Sequence, residues 1–350
     1  MLSTRTEKIL KSIVGQYITK AMPVPSQNIT KDNNLAVSSA TIRNEMAILE
    51  QEGYITRSHP SAGSVPSDKG YRWYVETLDN IKLPNTEQRM ISHLFHQVEK
   101  ELNEWLNLGA SLTAQMVQNA AVVTMPKPKS SKFKYLELVS LQDIMALVVI
   151  ILDGAHLRQQ LITFGQVISQ NELTAIANKL RTTYSGLTKS QISSKNNKLS
   201  SIEQQITGCI VEVMEDEDEH EYEEQYLNGL HYMLNQPEFT HNQRMLNLIA
   251  LMEQHVLLKS IVPPKMGSGK VQVIIGGENK EEAIHDYSVV ISHYGLPEEA
   301  EGTIGVIGPT RMPYARTIAT VAYLSSVLSE LVTKLYDKDS NSHTETNINN

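Results

Sequence analysis

The stretch from Val37 to Gly53 carries its own start signal, buried stripe and stop signal, and it constrains the fold more than any other segment. Ser38 is a good N-cap, because its hydroxyl accepts from a free N–H of the first helical turn. Val37 before it and Ile42 after it have the spacing of a hydrophobic staple. Ile42, Met46 and Leu49 form one apolar stripe. At about 100° per residue, Ala40, Arg43, Asn44, Ala47 and Gln51 fall on the other side. Gly53 supplies a left-handed stop. The pattern predicts a short helix whose free face holds small residues, one guanidinium and two amides.

The flanks extend this into a module. Ile9, Leu10, Ile13, Val14, Tyr17 and Ile18 make a helical stripe over 3–19, with Ser3 or Thr4 as its cap and Pro23 and Pro25 as its stop. Ser26 opens a short second helix to about Lys31. After Gly53, residues 54–58 alternate as a strand, and 59–68 are a Gly/Pro-punctuated hairpin tip. An aromatic helix then starts near Lys69. Three helices, a strand and a hairpin within 1–80 read as a winged helix-turn-helix.

Charge supports the same division. Residues 1–75 hold nine Lys/Arg against six Asp/Glu, while the rest of the chain holds 22 against 33. A basic head on an acidic body suits a DNA-binding module joined to a regulatory domain. The single cysteine, Cys209, excludes an intrachain disulfide and a cysteine-cluster metal site, and points to a reducing compartment. The longest uninterrupted apolar run, 144–152, is short of the ~20 residues that span a bilayer. The N-terminus has no secretory pattern. A cytoplasmic protein without membrane partners is expected.

Beyond Pro84, apolar residues from Ile91 to Met116 step by three and four. This predicts one long helix over 86–118, suited to a helix–helix interface. A linker-like break follows at 125–132. Strands are expected at 135–141, 144–152 and 157–164, with Asp153-Gly154 as a hairpin turn, and a helix at 171–184. Residues 185–201 read as a loop. Helices follow at 202–233 and 243–261, the first carrying an acidic run of nine carboxylates over 212–224. Strands at 271–275, 288–292 and 303–307 and a helix at 314–336 complete the body, leaving a polar tail at 338–350. Strands on both sides of a helical middle suggest one α+β domain with an inserted helical segment.

The DNA reading rests on the outward face of the third helix. Arg43 can bond a guanine edge twice and Asn44 an adenine edge, although either side chain also suits phosphate. Ser39 and Thr41 lie at the N-terminal turn, where free N–H groups attract phosphate, and Ala40 permits close approach. Arg57, His59, Ser61, Ser64, Lys69 and Arg72 are candidate contacts of the wing and its flanks. Each of these residues also has an ordinary reading as a solvated or turn residue. No other chemistry is well signalled. The acidic run lacks the spacing of a calcium loop, and Gly267-Ser268-Gly269-Lys270 fails the phosphate-loop pattern. Arg311, in the turn Gly308-Pro309-Thr310-Arg311, suits either an anion or a structural role. Local signatures of nucleophilic or metal-assisted catalysis are missing. A non-enzyme without cofactor or metal is expected.

The motifs at both ends resemble one family. Val37-Ser38-Ser39-Ala40-Thr41-Ile42-Arg43-Asn44-Glu45-Met46-Ala47, Leu49-Glu50, Gly53, His59, Ser61-Ala62-Gly63, Pro66, Asp68-Lys69-Gly70-Tyr71-Arg72 and Tyr74-Val75 are similar to the HrcA heat-inducible transcription repressors. So are Gly277-Glu278-Asn279 and Gly305-Val306-Ile307-Gly308-Pro309-Thr310-Arg311-Met312. The middle of the chain, about 125–265, matches by layout. The resemblance implies a winged helix at 1–80, a GAF-like α+β domain at 86–184 and 240–337, and a dimerising insertion at 185–239. It implies a homodimer on double-stranded DNA at an inverted-repeat operator called CIRCE, upstream of chaperone genes, with activity supported by the GroE chaperonin. Two residues depart from the family's wing. Ser64 stands where Arg is usual, and Pro60 where Thr is common. A regulator binding a small molecule in its GAF-like domain is the alternative. An enzyme acting through the turn at Arg311 is a further rival.

Overall fold

A computed structural model describes residues 2–30, 38–59, 62–79, 81–98, 101–127, 130–153, 157–195, 199–219, 225–239, 270–297 and 299–345. Val37, Ser61, the expected helix at 243–261 and residues 267–269 lie outside them. The chain mixes helices and strands, as the α+β reading expects. It divides into two compact units. The larger comprises 1–126, 224–296 and 301–350, and the smaller 127–223 with 297–300.

The larger unit begins with α1 (Thr4–Lys20), α2 (Ser26–Thr30) and α3 (Ser39–Gln51). The caps fall where the sequence puts them: the Ser3 and Ser38 hydroxyls accept from the Thr6 and Thr41 N–H groups. Ile9, Leu10, Ile13 and Val14 of α1 and Ile42, Met46 and Leu49 of α3 are all buried. Burying each large aliphatic side chain contributes roughly 1.5–3 kcal/mol. Gly53 follows α3 in the left-handed region, with φ +77. Strands β1 (Ile55–Thr56) and β2 (Val65–Pro66) pair antiparallel, Ile55 opposite Pro66. Helix α4 (Asp68–Glu76) follows, capped by Ser67.

The long helix expected over 86–118 is two: α5 (Asn85–Gln97) and α6 (Leu102–Val117). Val98 and Glu101 are extended, which ends one hydrogen-bond ladder and starts another. The apolar steps continue across this break, because both helices bury a stripe and no Pro or Gly marks the change.

A five-stranded sheet in the order β7-β3-β10-β9-β8 forms the body. Its strands are β3 (Ala120–Thr124), β7 (Gln225–Asn228), β8 (Val271–Ile275), β9 (Tyr287–Leu296) and β10 (Ala300–Pro309). Strands β3 and β7 were not expected. β7 stands within the segment read as one helix over 202–233, which the structure instead divides into α9 (Ser201–Glu219), β7 and α10 (Leu230–Leu234). The final helix, α11, runs Tyr314–Glu345, so the polar segment read as a tail from 338 is helical through Glu345. The stretch 314–335 is long and apolar enough to cross a bilayer by composition. Its hydropathy has another use here: Tyr314, Val321, Leu324, Leu328 and Val332 are buried, and α11 packs on β9 and α6.

The smaller unit is an antiparallel sheet of β4 (Phe133–Gln142), β5 (Met145–Leu152) and β6 (Leu157–Thr163). One face packs on α7 (Gln170–Tyr184), α8 (Lys189–Ser194) and α9, burying Phe133, Leu138, Val148, Ile150, Leu173 and Ile210. Helix α8 lies in the stretch read as a loop. Among the described residues, these strands pair with one another. The smaller unit thus starts at 127 and includes them, where the expected insertion starts at 185.

Candidate nucleic-acid interface

The outer surface of α3 is free. Ser39, Ala40, Arg43, Asn44, Ala47 and Gln51 are exposed and Thr41 is half-buried. The Ser38 and Thr41 hydroxyls bond each other, 2.9 Å apart, across the open first turn. Helix α3 is braced from behind: the Thr6 hydroxyl on α1 donates to Glu45 Oε2 (2.7 Å), and Arg5 pairs with the same carboxylate. The face that points outward therefore contains the one cation, the two amides and the small residues that the pattern placed there.

The wing candidates divide by what they touch. His59 is exposed. Arg57 is turned back onto α3, its Nε donating to Glu50 Oε2 (2.9 Å). Lys69 is exposed; its Nζ donates to the Glu52 carbonyl (2.8 Å) and sits 4.3 Å from the centre of the Tyr54 ring. Two of the candidates turn towards protein. Ser64 is fully buried, its backbone paired with Val24 in both directions at 2.9 Å. Its hydroxyl is buried among the described residues, so the departure at this position lies inside the hairpin and off its surface. Arg72 points into the unit rather than away from it. It forks onto Glu278 and donates to the Val273 carbonyl (2.7 Å). The bond with Glu278 holds its pKa above the usual arginine value.

Arg311 resolves as a structural arginine. Its Nε donates to Glu238 Oε1 (2.6 Å), its Nη1 to the Ile18 carbonyl (2.8 Å) and its Nη2 to Gln236 (3.2 Å). Its guanidinium is thereby spent on protein acceptors. Among the described residues, no group of three or more His, Cys, Asp or Glu is placed to hold a metal ion.

Sequence reasoning missed Asp68, whose carboxylate accepts from the Gly277 N–H (2.9 Å). The signal was present: Asp68 and Arg72 belong to one of the two motif blocks, Gly277 and Glu278 to the other, and the blocks meet in space. It also missed Gly63, where a Cβ would collide with the backbone of Pro23.

The HrcA protein C-terminal domain family model matches residues 103–318. A heat-inducible transcription repressor HrcA from Dehalococcoides mccartyi (strain CBDB1) is 54% identical over 338 residues, covering 97% of this chain and 98% of the relative. The protein of the same name from Herpetosiphon aurantiacus is 39% identical, covering 96% of each chain. A crystal structure described as that of a hypothetical protein is similar in fold, with a TM-score of 0.58 at 24% identity over 95% of this chain and 98% of that one. With a family model spanning more than half its length and relatives spanning nearly all of it, the chain belongs to the HrcA family.

Proposed function

We propose that this chain represses heat-shock genes by occupying DNA, with α1–α4 and the β1–β2 hairpin acting as a winged helix-turn-helix. The observation that carries this is the free outer face of α3, which places Arg43 and Asn44 beside Ala40 and Ala47 above an open N-terminal turn. A helix with that face enters a major groove with its N-terminal residues at the base edges. Ser39 and Thr41 then meet phosphate, while His59 and Lys69 meet the backbone from the wing side. The resemblance supplies the operator, the CIRCE inverted repeat ahead of chaperone genes, and the supporting partner, the GroE chaperonin. It also supplies the GAF-like reading of the five-stranded sheet. Repression follows by exclusion of polymerase.

A palindromic site asks for a two-fold protein. The smaller unit offers a surface for it. The side of its sheet away from the helices carries Tyr135, Ile151 and Leu157 in one cross-strand row and Val139, Leu147 and Leu161 in another. Leu161 is 60% exposed. Apolar rows of this kind, exposed at Tyr135, Val139, Leu157 and Leu161, suit a second copy of the same sheet.

Arg43→Ala and Asn44→Ala are expected to weaken operator binding by about 1–3 kcal/mol per lost base contact, with a loss of discrimination at the contacted position. Fluorescence anisotropy on the CIRCE duplex, with and without added chaperonin, measures this. Unchanged affinity in both variants would overturn the assignment of α3.

A ligand-sensing regulator is the second reading. It is favoured by a cavity of about 500 Å³ lined by Phe95, Trp105, Tyr323 and Leu331, among others. The buried Trp105 Nε1 has no hydrogen-bond partner among the described residues. A thermal-shift screen that finds no stabilising small molecule counts against it.

A further inference from the structure

The N-terminal helices are held on the five-stranded sheet by polar contacts at two separate places, neither of which uses the outer face of α3. The first is at α4. Arg72 Nε donates to Glu278 Oε1 (2.7 Å), and its Nη2 bonds the other carboxylate oxygen and the Val273 carbonyl (2.7 Å). One turn earlier, Asp68 Oδ2 accepts from the Gly277 N–H (2.9 Å). Glu278 is itself fixed, because it accepts from the Ile275 N–H (2.9 Å). Gly276 makes the approach possible. Its φ is +50, and a Cβ there would strike the Asp68 carboxylate. The second place is the C-terminal end of α1, where Arg311 donates to the Ile18 carbonyl. Between the two, Tyr71 of α4 packs on Tyr314 with ring centres 5.8 Å apart.

An apolar contact alone would attach the helices while leaving their angle soft. A bidentate guanidinium–carboxylate pair has a fixed plane, and a second attachment on another element removes the remaining rotation. The angle matters because a two-fold protein reads two half-sites at a separation set by how its recognition helices are presented.

We propose that Arg72 and Glu278, with Asp68 on Gly277, are the positioning residues that select half-site spacing in the operator. They act through α3 and touch no DNA. This rests on the dimeric DNA-binding reading above. Loosening the clamp leaves each half-site as well bound as before, but lets α3 sample several angles, so that the full site loses its advantage over mis-spaced ones.

The test uses the full chain and anisotropy titrations on a CIRCE duplex, on duplexes with the spacer changed in single base-pair steps, and on a duplex with one half-site. Arg72→Ala and Glu278→Gln are each expected to bring the preference for the natural spacing towards unity while half-site affinity stays at the wild-type level. The charge-reversed pair R72E/E278R is expected to restore the preference, which a merely folding-defective variant would not do. Variants that keep the wild-type spacing profile, or that lose half-site and full-site affinity in step, overturn the proposal alone. A wild-type chain that shows no spacing preference overturns the dimeric reading with it.

Discussion

Arg57 and Lys69 carry the same charge and lie on the same side of the molecule, but their partners differ. Arg57 faces the Glu50 carboxylate, which cancels it. Lys69 donates to the neutral Glu52 carbonyl, so its charge persists beside the β1–β2 hairpin. Condensed counterions are released from DNA in proportion to the phosphates that cations neutralise. Lys69→Ala is therefore expected to reduce the slope of log K against log salt by about one, uniformly across DNA sequences. Arg57→Ala should change the slope less, because Glu50 is left unpaired near the DNA in exchange. Titrations at several salt concentrations on specific and scrambled duplexes measure both. Equal slopes for Lys69→Ala and wild type would remove Lys69 from the interface.

Elements whose signals are local were legible in the sequence. Ser38, the Ile42–Met46–Leu49 stripe and Gly53 define α3 with little help from the rest of the chain. β3 was not legible. Its Ala-Ala-Val-Val-Thr is buried at every position, so it has no alternation to betray a strand. The break between α5 and α6 has no breaker residue, and Arg72 reads as a surface cation until a carboxylate 206 positions away is brought to it. Helix α9 gives a test of element packing. It carries Cys209, which is buried and donates to Gln160 Oε1 on β6 at 3.2 Å. Burial pushes this thiol up to about 11. The thiolate is the reactive form, so at about pH 8 the native thiol should alkylate on the order of a hundredfold more slowly than an unfolded one near 8.5. Iodoacetamide labelling followed by mass spectrometry checks this. Labelling at the unfolded rate without denaturant would mean that α9 does not stay docked on its sheet.

At the scale of the whole molecule, the dimeric reading proposed above makes affinity depend on whether two α3 helices engage one duplex together. Linking them converts the second half-site into an intramolecular event, and the gain is lost when the link is cut. The cut is best made away from α3, at the exposed apolar rows of the smaller unit's sheet. Leu161 lies at the β6 end of an apolar row with Leu147 and Val139 and contributes to no described core, so Leu161→Asp should leave the smaller unit folded. Across a two-fold interface the same change brings two carboxylates into an apolar contact, where neither has a partner and both are costly. The expected outcome is a monomer by analytical ultracentrifugation, with operator affinity reduced to that of a single half-site. The salt slope should fall to about half, since half as many phosphates are neutralised. These readouts separate dimer loss from damage to α3, which would lower half-site affinity as well. A Leu161→Asp protein that remains dimeric and binds the full site as wild type does would move the dimer contact away from this sheet.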